Sequence, residues 1–172
     1  ARLGYTNPDW NFSDRSPIDN NIHQQSPEIS IGVDHDGAGD QGMMFGYACN
    51  ETAELMPLPI TLAHALTCEL DKARETGDIN WLRPDGKSQV TVCYKAGKPV
   101  SVEKVVMAVA HSEKVQSDAI KKEIIAKIIN PVLKRYSYSV ESSNVVINGT
   151  GLWHIPGPDT DAGLTGRKIV VD

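Results

Sequence analysis

Several features are scarce in this 172-residue chain, and each scarcity excludes something. No apolar run approaches the length needed to cross a bilayer as a helix, so no membrane partner is expected. The three cysteines, Cys49, Cys68 and Cys93, are an odd number without a CxxC spacing, which argues against a disulfide framework or a zinc site. Positive charge is in deficit: 17 Lys+Arg stand against 22 Asp+Glu, leaving a net charge of -5 with His neutral. A general nucleic-acid binder shows the opposite balance, so no nucleic-acid partner is expected. Any anionic ligand must instead be held by a local cluster of bases. The five histidines, His23, His35, His64, His111 and His154, have no metal-ligand spacing. The first residues lack a signal-peptide pattern, and a reducing, cytoplasmic location is expected.

What is present is an ordinary globular composition, 40% hydrophobic and 23% charged, enough for one good core and at most a small second domain. The chain opens at Ala1 without methionine and stops at Asp172 straight after an apolar run, so it is expected to be a piece of something longer. Residues 1–42 are rich in Asn, Asp, Ser, Pro and Gly and read as a long mobile loop, with at most a short strand over 2–5. Residues 43–49 read as a buried strand. Pro59 suits a first helical turn and Gly77 a C-terminal stop, and Ile60, Ala63, Leu66, Leu70 and Ala73 form one apolar face between them. Alternation over 88–95, a turn at Ala96-Gly97-Lys98 and a valine-rich run over 100–110 predict a β-hairpin. Ser117 can cap a second helix with a stripe of Ile120, Ile124, Ile128 and Val132, which Asn130-Pro131 is expected to bend or end. Short strands are expected over 145–148, 152–155 and 168–171. The order β-α-β-β-α-β predicts an α+β two-layer sandwich, with helices on one face of a mixed sheet.

Four segments can carry chemistry. Gly37-Ala38-Gly39-Asp40-Gln41-Gly42 sets an acid in a glycine turn, where the backbone can approach a ligand closely; a plain tight turn is the competing explanation. Trp81-Leu82-Arg83-Pro84-Asp85-Gly86-Lys87 offers a carboxylate for ribose hydroxyls and an ammonium for phosphate, both able to point into one cleft, against the alternative of a solvated type I turn. Residues 159–168 bring an acidic loop containing Asp161 up to the adjacent bases Arg167 and Lys168, an arrangement suited to a polyphosphate or to an incidental surface ion pair. Trp153 beside a Gly-rich loop can stack on a nucleobase or simply fill the core.

Taken in this order, the segments resemble the S-adenosylmethionine synthetase (methionine adenosyltransferase) family. The resemblance rests on Gln25-Ser26-Pro27-Glu28-Ile29, on Gly37–Gly42 continuing through Met44-Phe45-Gly46-Tyr47-Ala48, and on Asn50-Glu51-Thr52 and Leu55-Met56-Pro57. It continues through Trp81–Lys87 with Ser88-Gln89-Val90, His111-Ser112, Gly157-Pro158, Asp161 and the run from Gly163 to Asp172, so it covers nearly the whole chain. It implies a three-domain α+β enzyme of which residues 1–36 are the end of the N-terminal region, including a mobile gating loop, and residues 37–172 the central domain. The amino-terminal Gly-His-Pro-Asp-Lys motif and the later Gly-Lys-Asp loop of the family are absent.

The implied reaction is S-adenosylmethionine synthesis from ATP and L-methionine. Sulfur attacks the ATP 5′ carbon, and the expelled tripolyphosphate is hydrolysed to pyrophosphate and phosphate. The sulfur carries no proton, so the chemistry rests on alignment and on stabilising leaving-group charge. By position, the resemblance implies catalytic roles for Lys87, Arg167, Lys168 and Asp40. It implies ATP contacts at Asp85, Gly86, Lys87, Leu152, Trp153, Asp161, Arg167 and Lys168, and methionine contacts at Gln25 and Asp161. Leu152 and Trp153 replace an arginine and a phenylalanine usual in the family. Mg2+ and K+ are implied as cofactors with ligands outside this chain, and a homodimer or homotetramer as the assembly. The stretch as it stands is expected to be inactive alone. The competing readings are a non-catalytic nucleotide- or polyphosphate-binding module and an oligomerisation module.

Overall fold

The computed structural model describes residues 2–38 and 45–162. The chain divides into two compact units, one of residues 1–16 with 49–172 and one of residues 17–48.

Among the described residues of the second unit the only regular element is helix α1 (Pro27–Val33), which starts on a proline and buries none of its side chains. This seven-residue helix lies where the sequence suggests only loop.

The first unit is built on helix α2 (Leu58–Thr76) and a hairpin of β1 (Leu82–Lys95) and β2 (Lys98–His111). Leu66, Leu70 and Ala73 are buried as expected, but Ile60 is exposed and Ala63 half-buried, so Leu58 and Leu62 complete the stripe of α2, and Gly77, left-handed at φ 75°, ends it as expected. At the other end the Leu58 amide donates to the Glu51 carboxylate at 3.0 Å, and the Tyr94 hydroxyl donates to the same oxygen at 2.6 Å. A carboxylate suits the positive end of a helix. The Tyr94 hydrogen bond, then the amide, hold the Glu51 carboxyl below its usual range. Tyr94 is pushed up to about 12, chiefly by burial and then by Glu51.

The hairpin turns at Ala96 and Gly97, both at positive φ (48° and 74°), which matches the twist of the strands it joins. A third strand, β3 (Val145–Ile147), adds to β2 in parallel, giving the mixed order β1-β2-β3. Val105, Met107 and Val109 of β2 face the helices within one apolar core, while Val106 and Ala108 on the other face stay half-exposed. Ser88 confirms the orientation of β1 by donating to the Ala63 carbonyl of α2 at 2.7 Å.

The second helical stretch runs α3 (Ser117–Ile124), a π-helical turn (Ile125–Ile129) and α4 (Asn130–Arg135). Ile120, Ile124, Ile128 and Val132 are buried as the spacing predicts. Ser117 is the first helical residue and not the cap, which is Gln116. Asn130-Pro131 does not end the helix. The wider turn just before Pro131 accommodates a residue that has no N–H to donate, and the chain continues to Arg135.

The fold is α+β, among the described residues a three-strand mixed sheet with helices packed on it, and several expected strands are corrected. Gly4 at φ 87° breaks the extended run proposed for 2–5, which is a turn instead. No strand forms over 45–49 or 152–155, and the remainder of the first of these lies outside the described residues, as does the strand expected over 168–171. Residues 1–16 are not a separate loop. Tyr5 sits against Gly157, and the Arg83 guanidinium lies 5.5 Å from the Trp10 ring centroid.

Candidate functional site

The open face of the sheet carries a cleft of about 540 Å³. Its floor is Lys87 of β1 with Val106 and Ala108 of β2, and its wall is the segment from Asn148 to Trp153 with Thr160 and Asp161. Lys87 pairs across the ladder with Ala108, and its neighbours Gly86 and Ser88 face α2, so alternation turns Lys87 to the open side.

The wall is shaped by Asn148. Its φ of 48° turns the chain out of β3 into the Gly149-Thr150-Gly151 bend. Its side-chain oxygen accepts from the Val109 amide at 2.8 Å, and its side-chain nitrogen donates to the Val109 carbonyl at 3.1 Å. One side chain thus imitates another strand's backbone and fixes where the wall leaves the sheet. The Trp153 carbonyl accepts from the His111 amide at 3.0 Å, and its indole N–H donates to the Ile155 carbonyl at 2.9 Å.

Within the cleft the Lys87 ammonium donates to the Asp161 carboxylate at 2.8 Å and lies 5.7 Å from the Trp153 ring centroid. Both charged side chains are more than half exposed, so the pair adds little to stability. The hydrogen bond and charge of Lys87 hold Asp161 below the usual carboxylate range, and the same bond with the charges of Asp161 and Asp85 raises Lys87. A free ammonium, a free carboxylate and an indole face can therefore be offered to one ligand once that ligand separates the pair.

The structure brings together Lys87, Leu152, Trp153 and Asp161 of the sequence-derived set. It does not bring Asp85 and Lys87 into one cleft, and the reason is local. Leu82 pairs with His111 and Gly86 with Val109, so residues 83–85 bulge out opposite Ala110. Asp85 takes φ 78° there, its carboxylate accepts from the Gly157 amide at 3.1 Å, and alternation no longer links it to Lys87. Asp85 and Gly86 line a second hollow of about 250 Å³ beside α2, with Tyr5, Thr67 and Asp71. Gln25 belongs to the other unit, where it is exposed one residue before the cap of α1. Asp40, Arg167 and Lys168 lie outside the described residues.

Sequence reasoning missed Asn148 and Thr160 as lining residues. An Asn-Gly pair directly after an apolar run is a turn signal, and it marks the point where the wall begins. Among the described residues no three His, Cys, Asp or Glu side chains converge as metal ligands, and the one carboxylate of the cleft is held by an ammonium. The described part of the cleft therefore holds no three-ligand cluster of its own for a metal ion. No helix among the described residues is long and apolar enough to cross a membrane.

Comparison with known proteins matches this sequence to a family. Residues 35–153 match the family described as S-adenosylmethionine synthetase, central domain. The chain is 49% identical over 175 residues to the S-adenosylmethionine synthase of Sulfurovum sp. (strain NBC37-1), 50% to that of Helicobacter hepaticus and 48% to that of Wolinella succinogenes. Each comparison covers 99% of this chain and 45% of the relative, so the chain spans a little under half the length of these curated proteins. With a mixed sheet under helices, a match across most of its length and near-50% identity throughout, the chain belongs to the S-adenosylmethionine synthetase family and carries its central domain.

Proposed function

We propose that this chain supplies the nucleotide-facing part of an enzyme that makes S-adenosylmethionine from ATP and L-methionine. The observation that carries the reading is the Lys87–Asp161 pair set beside the Trp153 face in one cleft. A ligand with an aromatic base, a polyanion and a nearby ammonium meets a partner for each part. The indole face takes adenine, Lys87 takes phosphate as a point charge, and Asp161, released from Lys87, takes the methionine ammonium. Sulfur attack at the 5′ carbon needs no base, and the residues that matter are those that align the reactants and those that stabilise charge on the departing tripolyphosphate. Lys87 serves the second role, together with Arg167, Lys168 and Asp40 as the family resemblance implies. Asp161 serves the first, with Gln25. ATP contacts at Asp85 and Gly86, which line the separate hollow beside α2, rest on the family resemblance alone.

The remaining assignments follow the same reading. The central domain runs from residue 37 and residues 1–36 end the preceding region, a division that the family match over 35–153 supports. Mg2+ and K+ are held by residues beyond this chain, the working enzyme is a homodimer or homotetramer in the cytoplasm, and the 172 residues alone turn over no substrate.

Calorimetric titration of the 172-residue chain and its variants with ATP, adenosine and tripolyphosphate tests the reading. Lys87→Ala is expected to weaken ATP and tripolyphosphate about tenfold, as loss of one charge-assisted contact does, and to leave adenosine unchanged. Trp153→Ala is expected to weaken ATP and adenosine and to spare tripolyphosphate. ATP affinity unaffected by both substitutions sinks the assignment of this cleft.

A further inference from the structure

Beneath the Trp153 loop lies a histidine for which the proposed chemistry has no use. His111 ends β2, is completely buried, and its Nε2 has no hydrogen-bond partner. Its Nδ1 stands 3.0 Å from the Val109 carbonyl oxygen. A carbonyl only accepts, whereas the Asn148 side-chain nitrogen, 3.3 Å from the same Nδ1, only donates; the shorter contact assigns the proton to Nδ1 and leaves Nε2 with an unpartnered lone pair. The His154 ring meets it edge-on, with centroids 4.8 Å apart and planes at 64°. The two residues are also tied through the backbone. The His111 amide donates to the Trp153 carbonyl at 3.0 Å, and His154 Nδ1 donates to the His111 carbonyl at 3.2 Å. Arg83 of β1 donates to the His154 carbonyl. Each of these last three bonds joins the end of the hairpin to Trp153 or to the residue after it.

We propose that His111 and His154 are positioning residues, a latch that holds the Trp153 loop on the end of β2 and opens when His111 takes up a proton. The ligand consequence of the latch, though not the latch itself, rests on the nucleotide reading of the cleft. Protonation of His111 would put an N–H on Nε2 where no acceptor stands, and a buried donor left unpaired is costly. The charged and titratable groups facing it are Arg83 from β1 and His154 from the loop, both opposed to added positive charge, while Asn148 from the end of β3 is neutral. Burial, more than these charges, holds His111 below the ordinary imidazole range, against the partial opposition of the Val109 carbonyl.

The sign follows from linkage. With the latch closed His111 resists protonation, whereas in the open state it titrates near its ordinary value of about 6.5. The open state therefore binds the proton more readily. The latch is at full strength above about pH 6.5 and weakens as pH falls below it. Trp153 leaves the cleft with the loop, and adenine loses its stacking face.

The test follows the Trp153 indole N–H resonance, assigned with Trp153→Phe, in the whole 172-residue chain without nucleotide, between about pH 7.5 and 5. The bond from this N–H to the Ile155 carbonyl makes it a reporter of the closed loop. One resonance is expected above pH 6.5 and a second is expected to grow below it, while ATP affinity falls several-fold over the same interval. His111→Gln is expected to abolish the transition. His154→Phe keeps an aromatic edge against His111 but removes the Nδ1 donor to the His111 carbonyl, so it weakens the closed latch and moves the transition to higher pH, and it decides the matter should His111→Gln not fold. A wild-type resonance that stays in place throughout overturns the proposal, as does a transition of unaltered midpoint in His154→Phe. A transition as expected, with ATP bound at no pH, upholds the latch and removes the nucleotide reading.

Discussion

Gly157 shows how closely single positions are constrained around the cleft. Its φ is 80°, its amide donates to Asp85, and a Cβ added there would stand 2.5 Å from the Tyr5 ring. Gly157→Ala must therefore strain the backbone and displace a ring that also packs edge-on against Phe12, with centroids 5.3 Å apart. A loss of about 1–3 kcal/mol is expected by urea denaturation, the range for strain of this kind. Adding Tyr5→Ala removes the steric part and leaves the φ strain, so the double variant is expected to lose less than the sum of the two single losses. Strict additivity would show that Tyr5 and Gly157 do not touch. At this scale the sequence was legible where chemistry depends on residue type. Lys87, Trp153 and Asp161 could be singled out as a base, an aromatic and an acid, and they share one cleft. It was illegible where chemistry depends on backbone path. Asp85 and Lys87 look like a pair two residues apart, and only the bulge over 83–85, a property of how β1 pairs with β2, separates them. His111 and His154 are 43 positions apart in sequence, and no spacing rule relates them.

The elements divide in the same way. Helix α2 and the hairpin were legible because their signals are local: apolar spacing with a proline before and a glycine after, and alternation on either side of Ala96-Gly97. The π-helical turn was not legible, because tertiary packing favours it. Asn130-Pro131 read locally as a break, yet Ile128, Ile129, Val132 and Leu133 are all buried to within 1% exposure. A regular 3.6-residue period would rotate one of each adjacent pair towards the edge of the apolar face, whereas the additional residue in the turn widens that face. The turn is thus part of the core. Ile128→Ala and Ile129→Ala are each expected to cost about 2–5 kcal/mol, the range for removing a buried isoleucine. Guanidinium unfolding of the two variants checks this. A loss below about 1 kcal/mol at one of the two positions would mean that the helix is regular in solution and that only one of them faces the core.

At the scale of the whole molecule, the two units carry very unequal shares of the apolar interior. Among the described residues the buried hydrophobic core runs from Leu58 to Val145, entirely within the unit formed by residues 1–16 and 49–172. Among its described residues the unit of residues 17–48 has a single seven-residue helix that buries nothing, and a helix that short does not hold itself together in water. Its composition announced this, since the loop-forming residues are concentrated before residue 43. The packing of residues 1–16 was hidden, because Tyr5 and Trp10 sit in the same polar composition and find their distant partners at Gly157 and Arg83. Replacing residues 17–48 by a Gly-Ser linker of equal length should therefore leave one cooperative thermal transition, with Tm moved by no more than about 4 °C, equivalent to about 1 kcal/mol at this size. The cleft residues Lys87, Trp153 and Asp161 all remain in that variant, so ATP affinity is expected to stay within about twofold of the parent. Gln25 leaves with the deleted segment, so any response of bound ATP to methionine is expected to vanish. Loss of cooperativity in the replaced chain would place part of the core in residues 17–48. Loss of ATP binding with cooperative unfolding intact would mean that the nucleotide is held from that segment and not by the Lys87 cleft.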